Sequence, residues 1–323
     1  GIPIIMLSNL SQPKDFEEAK KLGAVDYFVK VDFDTAEIIK KVKDDRIRYV
    51  KNEVNIGAIN NFSKCVQEAR GEYFVLLPHD DKLRPGCLLN YVKQLEDPKI
   101  GFVYSAIHVI DENGDMLSTK INHDKDEIYN SEEVIADIVD YFVPIQLTMV
   151  RIHILKKLGG FDITYGLFCD VNLWLRVALD GWGAFYNSEP YSSHRSHDQQ
   201  GQNAFTNYNL EVLSEHWGKK LDKTFWIENS YNNLFLKLSQ FLLIEMKKRG
   251  NDINHTKMRV LKLFSDSHLR GLLVAVANSN WFVFRQELLL LKTATNLFGV
   301  KLILSSYPMA ILKLFKMVVK KVI

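Results

Sequence analysis

What most limits the fold of this chain is a rhythm. Through residue 110, short apolar runs rich in β-branched and aromatic residues alternate with stretches of helical spacing. IPIIML (2–7), DYFVK (26–30), RIRYV (46–50), YFVLL (73–77) and GFVYSAIHVI (101–110) have strand composition, while 13–22, 35–43, 57–69 and 85–95 carry a helical pattern. Strands and helices alternating at this interval build β-α-β units, so the expected class is α/β, a mostly parallel sheet flanked by helices. Ligands of such sheets collect beyond the carboxyl ends of the strands, which directs attention to the residues after Leu7, Lys30, Val50 and Leu77.

Further along, Glu112-Asn113-Gly114-Asp115 is a turn signal, 131–141 reads as helix, 144–150 as extended, and 152–158 as a short helix stopped by Gly159-Gly160. Beyond about 206 helical patterns dominate, over 207–216, 225–249 and 256–297, so the expected division is an α/β region at 1–215 and a helical extension at 216–323. With 41 Lys+Arg against 39 Asp+Glu the net charge is +2, which disfavours a general nucleic-acid binder. Cys65, Cys87 and Cys169 are odd in number and far apart, with neither a disulfide framework nor metal-type spacing, which suggests a reducing, cytoplasmic compartment. No apolar run reaches the roughly 18 residues of a membrane span, and a chain opening on Gly1 without a signal-peptide pattern reads as numbered from inside a longer or processed product.

The densest chemistry lies in GEYFVLLPHDDKLRPG, residues 71–86, where an apolar strand delivers Asp80 and Asp81 into the loop at its carboxyl end. Neighbouring side chains of an extended segment face opposite ways, so one carboxylate can take a hard cation, Mg²⁺ or Mn²⁺, while the other takes a different group. The same pair can equally be a turn in which an aspartate caps the next helix.

In context, the segment from about Asp45 to Phe205 resembles family 2 glycosyltransferases of the GT-A fold. The matching pieces stand in the family's order: RIRYVKNEVNIGAINNFSKCVQEARGEYFVLLPHDD, GFVYSAIHVIDENG, VRIHILKKLGGFD, CDVNLWLRVALDG and HRSHDQQG. The resemblance implies that Asp80 and Asp81 contact a metal-diphosphate and the adjoining ribose, with Asp81 favoured as the metal ligand and Pro78 standing where many members are acidic. It implies that Asn52, Asn55 and Gly57 form the turn near the nucleotide. Asp170, beside Cys169 where the family has glutamate, would be the general base that takes the acceptor's hydroxyl proton in an inverting transfer; alternatively Asp170 caps the helix that follows it. His197 would join the metal shell and Arg195 would pair with phosphate oxygens, while Trp174 and Trp182 read as packing residues. The implied donor is a nucleotide-sugar, a UDP-sugar first among them, and the implied acceptor is a glycan or lipid-linked hydroxyl in cell-envelope or surface glycan synthesis.

Residues 1–43 depart from that pattern. IPIIMLSNLSQPKDFEEAKKLGAVDYFVK resembles the last third of a response-regulator receiver domain, with Ser8 at its switch hydroxyl and Lys30 at its phosphate-contacting lysine, and the phosphoacceptor aspartate is absent. A receiver-like β-α-β unit in place of the usual first unit sets a junction between about Lys30 and Arg46, and leaves Asp32 or Asp34 to stand in for the first nucleotide-binding aspartate. At the other end, 301–323 carries Lys301, Lys313, Lys316, Lys320 and Lys321 among apolar residues without an acid, a pattern that suits peripheral contact with an anionic membrane surface or an ordinary packed helix with a solvated edge. The rival to an enzyme is a catalytically impaired fusion acting as a binding or membrane-associated module.

Overall fold

The sheet is organised on its longest apolar run. The computed structural model describes residues 4–8, 24–29, 50, 52–78, 80–141, 147–196, 231–251, 254, 256–263, 294, 297 and 298. β1 (Ile4–Ser8) and β2 (Ala24–Val29) pair in parallel as a two-stranded sheet, Leu7 opposite Phe28. The expected strand at 46–50 and the helices at 13–22 and 35–43 lie almost wholly outside the described residues.

The larger sheet takes β3 (Tyr73–Val75), β4 (Lys82–Leu83), β5 (Ile100–Ile110), β6 (Met116–Lys120), β7 (Glu127–Tyr129), β8 (Met149–Arg151) and β9 (Gly183–Arg195). Its order is β3-β8-β5-β9-β4, with β6 on β5 and β7 on β9. Every residue of β5 except His108 is buried, as a strand covered on both faces requires. The α/β class holds, but the sheet is mixed rather than mostly parallel. β5 and β9 run parallel, whereas β3·β8, β5·β8, β5·β6, β4·β9 and β7·β9 are antiparallel. The β5–β6 link shows why: a turn as tight as 111–115 can only reverse the chain, and parallel pairing needs a long crossover.

Helices α1 (Ala58–Glu68), α2 (Cys87–Gln94), α3 (Ser131–Tyr141), α4 (Ile152–Leu158) and α5 (Cys169–Leu179) follow the sequence spacing closely. Gly159 ends α4 in the left-handed conformation at φ 80°, a backbone state a side chain would strain. β9 carries an irregularity with consequences for the site. From Ser105↔Asn187 to Ile107↔Ser192 the register advances two residues on β5 and five on β9, so Ser188–Tyr191 bulge out. Asp126 Oδ1 accepts from the Ser188 amide and hydroxyl, both at 2.8 Å, and the Arg84 amide donates to Tyr191 O at 2.8 Å, which clamps the bulge.

The chain divides into two compact units: Gly1–Val134 with Val143–Phe161 and Arg176–Lys220, and Ile135–Phe142 with Asp162–Leu175 and Leu221–Ile323. The second unit therefore takes in two segments that the sequence division put in the first. It includes α6 (Tyr231–Lys248), whose buried Leu234, Leu238 and Leu242 recur every four residues as one apolar stripe. Phe235 meets Phe168 edge-on at 5.9 Å, and Lys237 Nζ lies 4.5 Å from the Tyr165 ring centre while donating to Thr164 O. Arg259 forms an ion pair with Asp140. No described helix is long and apolar enough to cross a membrane.

Candidate functional site

β5 and β9 end side by side, Ile110 opposite Arg195. Their carboxyl ends receive the loop between β3 and β4, which turns through an Asp81 amide to Pro78 carbonyl contact of 3.4 Å and then pairs Lys82 with Ser193. That short pairing presses Asp81 against the last residues of β9. Asp81 is only 4% exposed. Its Oδ1 accepts from the Arg195 amide at 3.0 Å, and His194 Nδ1 lies 3.1 Å from the same oxygen. Its Oδ2 is buried and accepts no hydrogen bond among the described residues. A carboxylate oxygen taken out of water without a donor is costly, and a donor or a cation at that oxygen would offset the cost.

Asp80 contributes its backbone here, since Arg195 Nε donates to its carbonyl at 3.1 Å. The guanidinium continues to the β5–β6 turn, where Nη1 donates to Asp111 O at 2.6 Å and Glu112 O at 2.9 Å. Arg195 is 7% exposed, and the structure employs it as a staple across carbonyls, where the sequence reading had it paired with phosphate oxygens. The turn it grips is itself preformed. Asp111 Oδ1 accepts from the amides of Asn113 and Asp115 at 2.9 Å each, and those bonds, Asp115 first, hold its carboxyl below the usual carboxylate range.

Asn52, Asn55 and Gly57 form a second hydrogen-bonded group at the start of α1. Asn52 donates to Asn61 Oδ1 at 3.0 Å and accepts from Lys64 Nζ at 2.6 Å, and Asn55 Oδ1 receives the Gly57 amide at 2.9 Å. Gly57 sits at φ 78° before the first helical residue, which suits glycine. Asp170 is half-buried in the first turn of α5, and its Oδ1 accepts from the amide of its neighbour Val171 at 2.8 Å. Asp32, Asp34 and His197 lie outside the described residues.

Sequence reasoning assigned no role to two participants, His194 as the near neighbour of Asp81 and the carbonyls of Asp111 and Glu112. The first had a signal, a histidine at the end of an unrecognised strand. The second had none, because a carbonyl acceptor is present at every position.

Among the described residues no three His, Cys, Asp or Glu side chains gather as a ready metal cage. The single open oxygen of Asp81 nevertheless fits a hard cation of the kind that binds through one or two carboxylates and completes its shell with substrate phosphates and water.

The α/β class that the sequence resemblance implied holds, with a mixed sheet, and Asp81 lies at the carboxyl ends of its parallel strands β5 and β9. Residues 32–154 match the family described as Glycosyl transferase family 2, so the resemblance is shown over that stretch. An uncharacterized glycosyltransferase of Methanocaldococcus jannaschii is 36% identical over 154 residues, 45% of this chain and 50% of that one. An uncharacterized glycosyltransferase of Rickettsia typhi is 26% identical over 199 residues, 59% of this chain and 60% of its own length. The chain spans about half the length of the curated relatives it matches. Among solved structures, S. aureus TarS 1-349 in complex with UDP-GlcNAc is similar at 13% identity and a TM-score of 0.47, covering 87% of this chain and 88% of that one.

Proposed function

We propose that the protein is an inverting glycosyltransferase that moves a sugar from a nucleotide-sugar, a UDP-sugar first among donors, to a hydroxyl on a glycan or lipid-linked acceptor. The observation that carries this reading is the buried Asp81, whose Oδ1 is held by Arg195 and whose Oδ2 is left open among the described residues. Asp81 would hold Mg²⁺ or Mn²⁺, with Asp80 at the adjoining ribose and His197 as a further ligand. When bound there, a divalent cation neutralises the charge of a departing diphosphate. Asn52, Asn55 and Gly57 shape the loop entering α1 on the nucleotide side, and Asp32 or Asp34 would serve the nucleoside. Asp170 is the base: a half-buried carboxylate in the first turn of a helix, oriented by the Val171 amide, can take an acceptor proton. Cell-envelope or surface glycan synthesis is the setting we favour, on the cytoplasmic side, with 301–323 as the peripheral membrane contact.

The test is thermal stability with UDP, GDP, dTDP and CDP, each with and without Mn²⁺, for the wild type and Asp81→Ala. A ligand at about 100 times its dissociation constant adds roughly 2.7 kcal/mol, a shift of a few degrees for a domain of this size. A metal-dependent shift with one nucleotide, lost in the variant, supports the reading and identifies the donor class. A cooperative melt that no nucleotide moves would reject it in favour of the impaired fusion.

A further inference from the structure

We propose that Arg195 is a positioning residue, which sets the place of the Asp81 carboxylate by stapling the loop that carries it to the preformed β5–β6 turn. The inference rests on the donor-site reading above and assigns a task to two features that reading leaves idle, the buried arginine and the Glu112-Asn113-Gly114-Asp115 turn.

Arg195 reaches Asp81 from two directions. Its amide donates to the carboxylate at 3.0 Å, and its Nε donates to the carbonyl of the preceding residue, Asp80, at 3.1 Å. The other end of the guanidinium is anchored on Asp111 O and Glu112 O at 2.6 and 2.9 Å. That anchor is firm because the turn closes on itself through Asp111 N to Asp115 O at 2.9 Å, Gly114 N to Asp111 O at 3.1 Å and the two bonds to Asp111 Oδ1. The backbone continues the link, with the Ser196 amide donating to Ile110 O at 2.9 Å. A planar fork can span loop and turn together, and a lysine ammonium presents a single point of attachment, so the substitution Arg195→Lys keeps the charge and loses the bridge.

The same chain supplies its own control. Arg151 staples backbone at the opposite end of β5, donating from Nε to Ile100 O at 2.9 Å and from Nη2 to Leu95 O at 2.5 Å and Asp97 O at 3.1 Å. Both arginines hold carbonyls together, and only one of them touches a carboxylate with an open oxygen.

The experiment is a Mn²⁺ titration of the full chain followed by electron paramagnetic resonance, with and without UDP, alongside thermal melts. The set comprises wild type, Arg195→Met, Arg195→Lys, Asp111→Ala, Asp111→Asn and Arg151→Met. Residues that orient a metal ligand from outside typically change metal affinity roughly 10- to 100-fold, and a loss of that size is expected for Arg195→Met, with little recovery in Arg195→Lys. Asp111→Ala loosens the anchor and weakens Mn²⁺ binding by a smaller factor, and Asp111→Asn, which keeps an acceptor, restores it. Arg151→Met lowers the melting temperature and leaves Mn²⁺ affinity within about twofold, since its staple touches no metal-facing group. Undiminished Mn²⁺ affinity in folded Arg195→Met overturns the proposal alone, as does an equal loss in Arg151→Met, which would mark general loosening. If Arg195→Met fails to fold, the Asp111 pair decides: no loss in Asp111→Ala overturns the proposal. Absence of Mn²⁺ binding in the wild type, with and without UDP, overturns the donor-site reading itself.

Discussion

Two buried polar clusters flank β5 and β9, and they close their accounts differently. In the first, Ser105 Oγ donates to Ala106 O at 2.7 Å while accepting from the Tyr91 hydroxyl at 2.9 Å and the Tyr191 amide at 3.3 Å. All three capacities of that hydroxyl are met, and its neighbours stay neutral. Burial lifts the Tyr91 phenol well above its usual range and pushes the Cys87 thiol up to about 12. In the second cluster Asp81 Oδ1 has two neighbours within hydrogen-bonding distance and Oδ2, equally buried, accepts nothing among the described residues. Asn90 Oδ1 and Ser192 Oγ nearby are also buried without a partner among the described residues, but they are neutral, and an unmet charged oxygen costs more.

The sharpest way to break this comparison is Asp81→Ala. Metal-dependent stabilisation by nucleotide should vanish and turnover should fall by about 100-fold or more, in keeping with the several kcal/mol that a bound metal contributes. The isosteric Asp81→Asn, without ligand, should melt no lower than the wild type; a large loss of unliganded stability would show that the open oxygen serves the fold after all. In the second unit Asp170→Asn provides another carboxylate to grade. Loss of a general base lowers kcat by roughly 100-fold or more, and donor affinity measured by calorimetry should stay put; a parallel loss of donor affinity would make Asp170 a binding residue.

Gly101→Ala acts on packing alone. An added Cβ would sit 2.6 Å from Trp182 Cβ and 3.2 Å from Ile154 Cδ1, and overpacking of this kind costs about 1–3 kcal/mol. Urea denaturation should report that loss while nucleotide binding by the folded fraction is retained. Tyr91→Phe removes one neutral bond from the saturated cluster and should cost about 1 kcal/mol, again without effect on ligand. The last effect is a matter of pH. The Cys87 thiol titrates at about 12 in the folded chain against an ordinary 9.0, so its contribution is intact below pH 9 and declines as pH climbs from 9 toward 12. Cys87→Ala should flatten that alkaline decline in urea midpoints taken at pH 8, 9 and 10, and an unchanged slope would exclude the thiol as its source.

Much of this architecture was legible in the residues. Helices at 131–141 and 152–158 were readable because their apolar spacing is undisturbed and Gly159 marks the stop. The Asp80-Asp81 pair was readable because a strand delivers it to a loop. β9 was not, although it is the longest strand described: Glu189 and Pro190 interrupt its apolar run, and only the tertiary pairing on both sides of the bulge restores it as one element. The mixed strand directions were hidden too, since the residues of β8 carry no mark of the direction in which they will pair. The grip of Arg195 on carbonyls was hidden for a related reason. Charge is visible in a sequence, and the backbone carbonyls that this arginine grips are not.

The bulge at 188–191 lets β9 behave as two short rulers joined by slack. The first, 183–187, is read against β5 and β7; the second, 192–195, against β5 and β4. Chain added or removed in the slack can be taken up there, and each ruler keeps its own zero. One residue removed after Ser192 has no such refuge: each later side chain of the strand would turn to the other face, so His194 would leave Asp81 and the Arg195 fork would leave the carbonyls of Asp111 and Glu112.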